Sequence, residues 1–515
     1  MAADGADQAT FSKEYRALEK IFARRHHLGE AQGLLGWDRQ VMMPDGAATA
    51  RAETQASLAA LSHELLTATE TAELLEAAEQ DDAVAADPWR SGNLREMRRV
   101  HAHACAVPAD LVEAASRAES KGEMAWRSAR EQGTFGLLAP ALAEIVALQR
   151  RIAEAKAAAL SLSPYDALLD QFEPGARAER IDALFAELGS FLPDFTETAL
   201  EAQAARKAPP PLAGPFPIEA QRRLALALMT AVGFDPTRGR LDVSLHPFCG
   251  GADDDVRITT RYDEADFTSA LMGVLHETGH ALYEQGLPSD WRRAQPVGRA
   301  RGMAMHESQS LFLEMQICRS DAFLRFAAPK FRAAFGAAAD DPAWSAESFT
   351  ARTRRIEKGF IRVDADEVTY PAHVILRYRL ERAMIAGDLP VEDLPGAWAE
   401  QQQSLMGVRP PDDRPGCLQD IHWPSGAFGY FPTYTMGAMA AAQLMEAARA
   451  ALPDLDTRIE AGAFEPLVSW LREKVHHCAS LQDSDALLRN ATGAPLETAA
   501  FRRHLERRYG TKSDA

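Results

Sequence analysis

The stretch YDEADFTSALMGVLHETGHALYEQGLP, Tyr262 to Pro288, decides how this chain is read. Apolar residues recur through it at helical spacing, Asp263 can cap the helix with Asp266 three residues on, and Gly286 followed by Pro288 marks its end. Within that helix His276 and His280 are four residues apart, ~400° of rotation, so both imidazoles leave one face and can reach a single tetrahedral ion. Glu277 falls to one side of the pair. Its carboxylate can hold an ion-bound water and act as general base while the ion polarises a carbonyl. Thr278 and Gly279 are small and leave room around the two rings. A helical His-Glu-x-x-His of this kind points to zinc-dependent peptide hydrolysis.

A catalytic zinc needs a third protein ligand and an open position. Glu284 lies a further turn up the same axis, too far to serve. The next predicted helix carries GMAMHESQSLFLEM, Gly302 to Met315, where Glu307 is the expected third ligand and His306 its rival, suited to a supporting or substrate-binding place.

Working outward, LDVSLHPF and DVRITTRY alternate apolar and polar residues on either side of a loop holding Gly250 and Gly251, which reads as a β-hairpin directly before the motif helix. The DVRIT strand offers an edge to which a peptide backbone could add. Before this, Lys13 to Lys207 reads as long helices, broken at Met42–Gly46, Pro88, Pro108 and between residues 163 and 175. Ala208 to Pro217, APPPLAGPFP, cannot be helical through its prolines and reads either as an extended crossing or hinge between two lobes of one domain spanning 1–515 or as an ordinary surface loop. Helical periodicity returns after Asp263. The expected fold class is mainly α, a large two-lobed helical architecture with a deep groove and a small β element beside the motif helix.

Composition excludes several alternatives. Against 56 Lys and Arg stand 74 Asp and Glu, a formal charge of −18, and so acidic a surface repels nucleic acid and anionic membranes. Five sparse cysteines read as reduced thiols, and the amino terminus has neither the basic nor the apolar segment of a leader. A soluble, cytoplasmic protein without nucleic-acid or membrane partners is expected.

Several blocks occur in order along the chain: HPF at His246–Phe248, DVRIT at Asp255–Thr259, HETGH, HESQ at His306–Gln309, IRVDAD at Ile361–Asp366 and GCLQDIHW at Gly416–Trp423. Together they resemble the carboxypeptidase Taq family of metallocarboxypeptidases. LLGWDRQVMMPDG around Trp37 and SPYDALLDQFEPG around Tyr165 extend the likeness across nearly the whole chain. Asp364 stands where members tend to carry glutamate. The resemblance implies a helical zincin that removes single residues from free peptide carboxyl termini with broad specificity, works as a homodimer and holds one zinc per chain, replaceable by cobalt. It places metal ligands at His276, His280 and Glu307 and the base at Glu277.

Exopeptidase action needs a cation for the terminal carboxylate, and the planar fork of arginine suits both oxygens. The resemblance points to Arg362, with Arg257 as alternative or second contact. An oxyanion donor is also needed. GAFGYFPTYTMG offers Tyr430 and Tyr434, either of which can supply it. His246, Gln419 and His422 are candidates for substrate contact or for anchoring loops of the groove, as is Asp420. Two rival functions differ at defined points. A helical zinc endo-oligopeptidase would accept a capped carboxyl terminus, and a non-enzymatic scaffold would hold no metal.

Overall fold

The computed structural model describes residues 11–510, so Met1–Thr10, most of the stretch read for a leader, lie outside it. The described residues form 21 α-helices and one three-stranded sheet, a mainly α architecture with a small β element. Each break expected in the first 207 residues falls at a helix boundary, and the one between 163 and 175 holds a short helix of its own, Pro164–Leu169. Pro88 and Pro164 occupy first helical turns, where the missing N–H costs nothing. The chain from 205 to 217 is non-helical, and Phe216 N–H donates to Glu264 O at 2.8 Å just ahead of the motif helix. No helix among the described residues is long and apolar enough to cross a membrane.

Six helices position the site: α1 (Lys13–Val41), α2 (Pro88–Cys105), α3 (Phe267–Gly286), α4 (Gly302–Leu311), α5 (Tyr370–Ala386) and α6 (Pro432–Ala451). Helix α3 begins three residues later than its first acid suggested. Asp266, whose carboxylate accepts Thr268 N–H at 2.9 Å, is its cap, while Asp263 closes a turn onto Ala265 N–H at 2.8 Å. The start of α3 is pinned by Phe267, fully buried, stacked on Trp344 at 5.8 Å and edge-on to Phe216 at 5.0 Å. Burying such a ring stabilises the fold by roughly 2–3 kcal/mol.

The sheet corrects the hairpin reading. Strand β1 (Gly239–Val243) pairs in parallel with β3 (Asp255–Thr260), and the antiparallel partner of β3 is β2 (Cys249–Ala252), inside the segment read as loop. The order is β1-β3-β2, so β3, which carries DVRIT, is central. Its two edges are taken, which removes the expected place for an added peptide strand. Helix α1 lies across β2, where a Cβ at Gly33 would come within 2.5 Å of Gly251 O.

Two close helix crossings set the site. A Cβ at Gly279 of HETGH would overlap Gln309 O and lie 2.6 Å from Ser310 Cα, so this glycine lets α3 press on α4. A Cβ at Gly437 would sit 2.8 Å from both Cβ and Cγ of Glu307, so α6 closes on α4 from the other side. Beyond Leu311 helix α4 continues as a wider π-helical stretch, Phe312–Cys318, a local distortion that favours functional sites. A large apolar core joins these helices to most of the chain. A second, smaller core around Tyr15, Phe22, Leu75 and Met97 holds α1 and α2 together.

Candidate metal centre and its groove

Helix α3 presents His276 and His280 to α4, and the structure gathers them with Glu307. One ligand atom from each lies within 4.8 Å of the others. His280 Nε2 is 3.3 Å and His276 Nε2 3.8 Å from the same oxygen, Glu307 Oε2. Two ligands about 2.05 Å from a tetrahedral zinc stand about 3.3 Å apart, so this donor set fits such an ion.

The other ring atoms are engaged, which fixes both Nε2 atoms toward Glu307. His276 Nδ1 lies 2.9 Å from Glu314 Oε2, whose other oxygen accepts from Arg319. His280 Nδ1 lies 2.6 Å from His306 Nδ1, and His306 Nε2 is 2.8 Å from Glu284 Oε1. His306 thus stands behind His280 rather than in the ligand set, and Glu284 supports His306. Glu277, buried, completes a ring of carboxylates around the two imidazoles. Burial of the His276 ring disfavours its charged form, yet Glu307, Glu314 and Glu277 outweigh that and raise it to about 10. Burial, with Glu307 and Glu314, raises Glu277 to about 7 against the opposing pull of His276 and His306. The excess of negative charge is the kind a divalent cation neutralises.

On the Glu307 side lies a cationic pocket. Arg362, 7% exposed, donates through Nη2 to Asp420 Oδ1 at 2.9 Å and lies over the Tyr434 ring at 4.7 Å. Arg377 of α5, fully buried, donates from Nε to the other oxygen of Asp420 at 2.6 Å. Two guanidiniums therefore share one carboxylate, leaving a net positive charge. Burial lowers His373, one turn before Arg377, to about 3 with help from both arginines, so its imidazole is neutral. Tyr430 and Tyr434 meet edge-on at 5.3 Å, and both feel the charge of Glu307. Burial raises Tyr434 to about 12, keeping its hydroxyl protonated.

The comparisons bear on this geometry as a whole. The chain matches the carboxypeptidase Taq (M32) metallopeptidase family over residues 17–509. It is 39% identical to thermostable carboxypeptidase 1 of Thermus thermophilus, with 96% of this chain and 98% of that one aligned. It is 35% identical to the Pyrococcus furiosus enzyme of the same name, over 96% and 98%. Among solved structures, Trypanosoma cruzi metallocarboxypeptidase 1 superposes with a TM-score of 0.93 at 40% identity, covering 96% of this chain and 99% of that one. The chain belongs to the carboxypeptidase Taq (M32) family. It is a metallocarboxypeptidase, and family membership favours that reading over an endo-oligopeptidase or a scaffold.

Within this M32 chain the remaining expected site residues separate into distinct places. Gln419 accepts the Arg362 backbone N–H at 2.9 Å and donates to Phe360 O and Pro415 O, so it seats the arginine. His422 Nε2 lies 3.2 Å from the Tyr434 hydroxyl, and its ring rests on Phe431 at 4.4 Å. Arg257 is elsewhere. It pairs with Asp255 and lies over Trp37 of α1 at 4.3 Å, and shares no contact with the Arg362 pocket. His246 is exposed in the loop after β1, where its backbone carbonyl accepts from Ser244 Oγ at 2.6 Å. The sequence reading passed over Glu314 beside His276, Arg377 and His373 beside Asp420, and Tyr370, whose ring meets Tyr434 edge-on at 6.4 Å.

A cavity of about 580 Å³ opens between α1, α2 and the start of α4, reaching His306 at one end. Phe172 lines it and meets Tyr430 edge-on at 5.1 Å, so the cavity continues from the tyrosine pair. A larger hollow of about 830 Å³ beside Pro209 and Pro211 contains none of these residues.

Proposed function

We propose that this M32 enzyme releases single residues from free peptide carboxyl termini with broad specificity, using one zinc held by His276, His280 and Glu307, with cobalt a competent substitute. When bound, the ion supplies a Lewis acid for the scissile carbonyl and acidifies the attacking water. Glu277 takes the proton of that water and passes it to the leaving amine. Burial and the neighbouring carboxylates keep its basicity near neutral pH, where such transfer is most effective. Tyr434 or Tyr430 donates to the developing oxyanion. Arg362 binds the terminal carboxylate, while His306 and Glu314 orient the two histidines. Gln419 and His422 hold the pocket, and we assign Arg257 and His246 no part in it.

The observation that carries this reading is the unequal count of charges beside Glu307: Arg362 and Arg377 against Asp420 alone. A terminal carboxylate restores the balance and presents the last peptide bond to the metal. We further propose that the chain acts as one domain with 208–217 crossing between its lobes, in the cytoplasm, as a homodimer, on peptides rather than nucleic acid or membranes.

The test is mass spectrometry of a peptide, free or amidated at its carboxyl end, with and without chelator. A ladder of single-residue losses from the free acid alone, abolished by chelator and restored by zinc, is expected. Equal cleavage of the amide would remove the carboxylate clamp.

A further inference from the structure

The cavity that leads away from His306 holds a charge without a partner. Arg25 projects from α1 into its lining, half-buried, with a buried Nε that has no hydrogen-bond partner. Among the described residues no carboxylate lies within ion-pair distance of it. The acids that share the cavity are all committed elsewhere. Glu30 accepts Asp253 N–H at 2.9 Å and faces His27 at 3.2 Å and His26 at 3.6 Å. Asp253 pairs with Arg299 at 2.9 Å, Arg293 at 3.3 Å and His26 at 3.1 Å. Glu96 pairs with Arg301 at 2.9 Å and Arg99 at 3.0 Å. Two of those arginines, Arg293 and Arg301, reach in from beyond the cavity wall, so its acids are more than satisfied and Arg25 is the cation left over.

A guanidinium stripped of part of its water without a counter-charge is an unfavourable arrangement. Burial lowers the pKa of Arg25, and no neighbouring acid offsets this. An anion arriving in the cavity would relieve it, and the bidentate fork favours a carboxylate. The position of the cavity says which one. The cavity adjoins the site at two points, His306 behind His280 and Phe172 against Tyr430, and Tyr430 in turn meets Tyr434 under Arg362. A peptide whose terminal carboxylate sits at Arg362 therefore runs its upstream residues toward Arg25.

We infer that Arg25 forms an anion-reading subsite for residues upstream of the scissile bond, so that peptides carrying aspartate or glutamate there are preferred substrates. The inference rests on the proposed direction of binding. It adds a sequence preference that the terminal carboxylate does not supply.

The experiment uses the zinc-loaded full chain and a set of alanine hexapeptides in which one glutamate, or its neutral isostere glutamine, is walked through each upstream position. An all-alanine peptide is included as free acid and as amide. At one position the glutamate peptide should show kcat/KM about ten-fold above its glutamine twin, the scale of a charge-assisted hydrogen bond, with the ratio shrinking at high salt. Arg25→Gln should bring the ratio to about one, and Arg25→Glu should invert it, so that the glutamine peptide is preferred to its glutamate twin. Ratios within each protein cancel any change in its overall activity or folded fraction. Cleavage of the free acid but not the amide, with no position discriminating glutamate from glutamine, would overturn the subsite while leaving the carboxypeptidase direction intact. A ratio that survives Arg25→Glu would also overturn it. Cleavage of the amide as fast as the acid would remove the proposed direction and the subsite with it.

Discussion

Replacing Gly437 by alanine tests whether the site depends on how closely α6 seats against α4. The added Cβ would lie 2.8 Å from Cβ and Cγ of Glu307 and 3.1 Å from Ala304 O. Ordinary contact between such carbons is ~3.5–4.0 Å, so about 0.7 Å must be found somewhere. Neither Glu307 atom is the free end of a flexible chain, and Ala304 O is backbone. Overpacking of this kind costs about 1–3 kcal/mol. For a chain of 515 residues, with an unfolding entropy of ~1 kcal/mol/K, that moves Tm by only about 1–3 °C. Metal affinity is the sharper readout. Ligand distances tolerate ~0.2 Å, so pushing Glu307 aside by several tenths should weaken zinc by at least the ~10–100-fold that follows loss of a supporting contact. Competition against a chromogenic chelator measures this, alongside Gly396→Ala. There a Cβ meets nothing within 4 Å, and the variant should gain up to ~1 kcal/mol of stability with unchanged zinc binding. Wild-type zinc affinity and turnover in Gly437→Ala would refute the argument that this glycine fixes Glu307.

Other substitutions separate the roles of neighbouring groups. Glu314→Gln keeps an oxygen for His276 but loses the charge, and zinc affinity by the same competition should fall ~10–100-fold; an unchanged constant would remove Glu314 from the supporting set. Glu277→Gln should abolish turnover while elemental analysis finds stoichiometric zinc, and retained activity would unseat it as the base. Arg362→Gln should raise KM for free-acid peptides by at least ~10-fold, and equal KM values would place the clamp elsewhere. Glu173 accepts Ala304 N–H at 2.8 Å at the start of α4, and burial raises its carboxyl to about 7. Because the folded state holds this proton more tightly than the unfolded chain, its contribution is full below about pH 4.5. It is lost as pH rises to about 7, at up to ~1.4 kcal/mol per unit. Denaturant melts across that window should show Glu173→Gln with the flatter profile.

What could be read in the sequence was what repeats locally. His276 and His280 are legible because a four-residue step is a property of one helix, and Gly286 with Pro288 stops that helix wherever it packs. The true cap was harder, since Asp263 and Asp266 both suit the position. Tertiary contacts decided between them: Gln221 Nε2 donates to Asp263 O and Phe216 N–H to Glu264 O, holding that turn out of the helix. Strand β2 was hidden because Gly250 and Gly251 depress strand propensity, and what makes CGGA a strand is pairing with β3 rather than its own preference. Glu314 left a faint signal. It stands seven residues after Glu307, which returns to nearly the same face of a helix, although the π-helical stretch begins between them.

The carboxylate pocket lay furthest from local reading, because its parts come from three unrelated periodicities. Arg362 belongs to a short irregular turn, Arg377 and His373 to a helix buried on most of its faces, and Asp420 to a loop with no period at all. A motif block marks that such residues matter without saying which cation lacks a partner. Only the count of charges in space does so. The same count that leaves an unmatched positive charge beside Tyr434 leaves one at Arg25, in the cavity that meets the site at His306 and, through Phe172, at Tyr430. A peptide with an acidic upstream residue and a free carboxyl end then runs between two anchors, with its last bond held at Glu277.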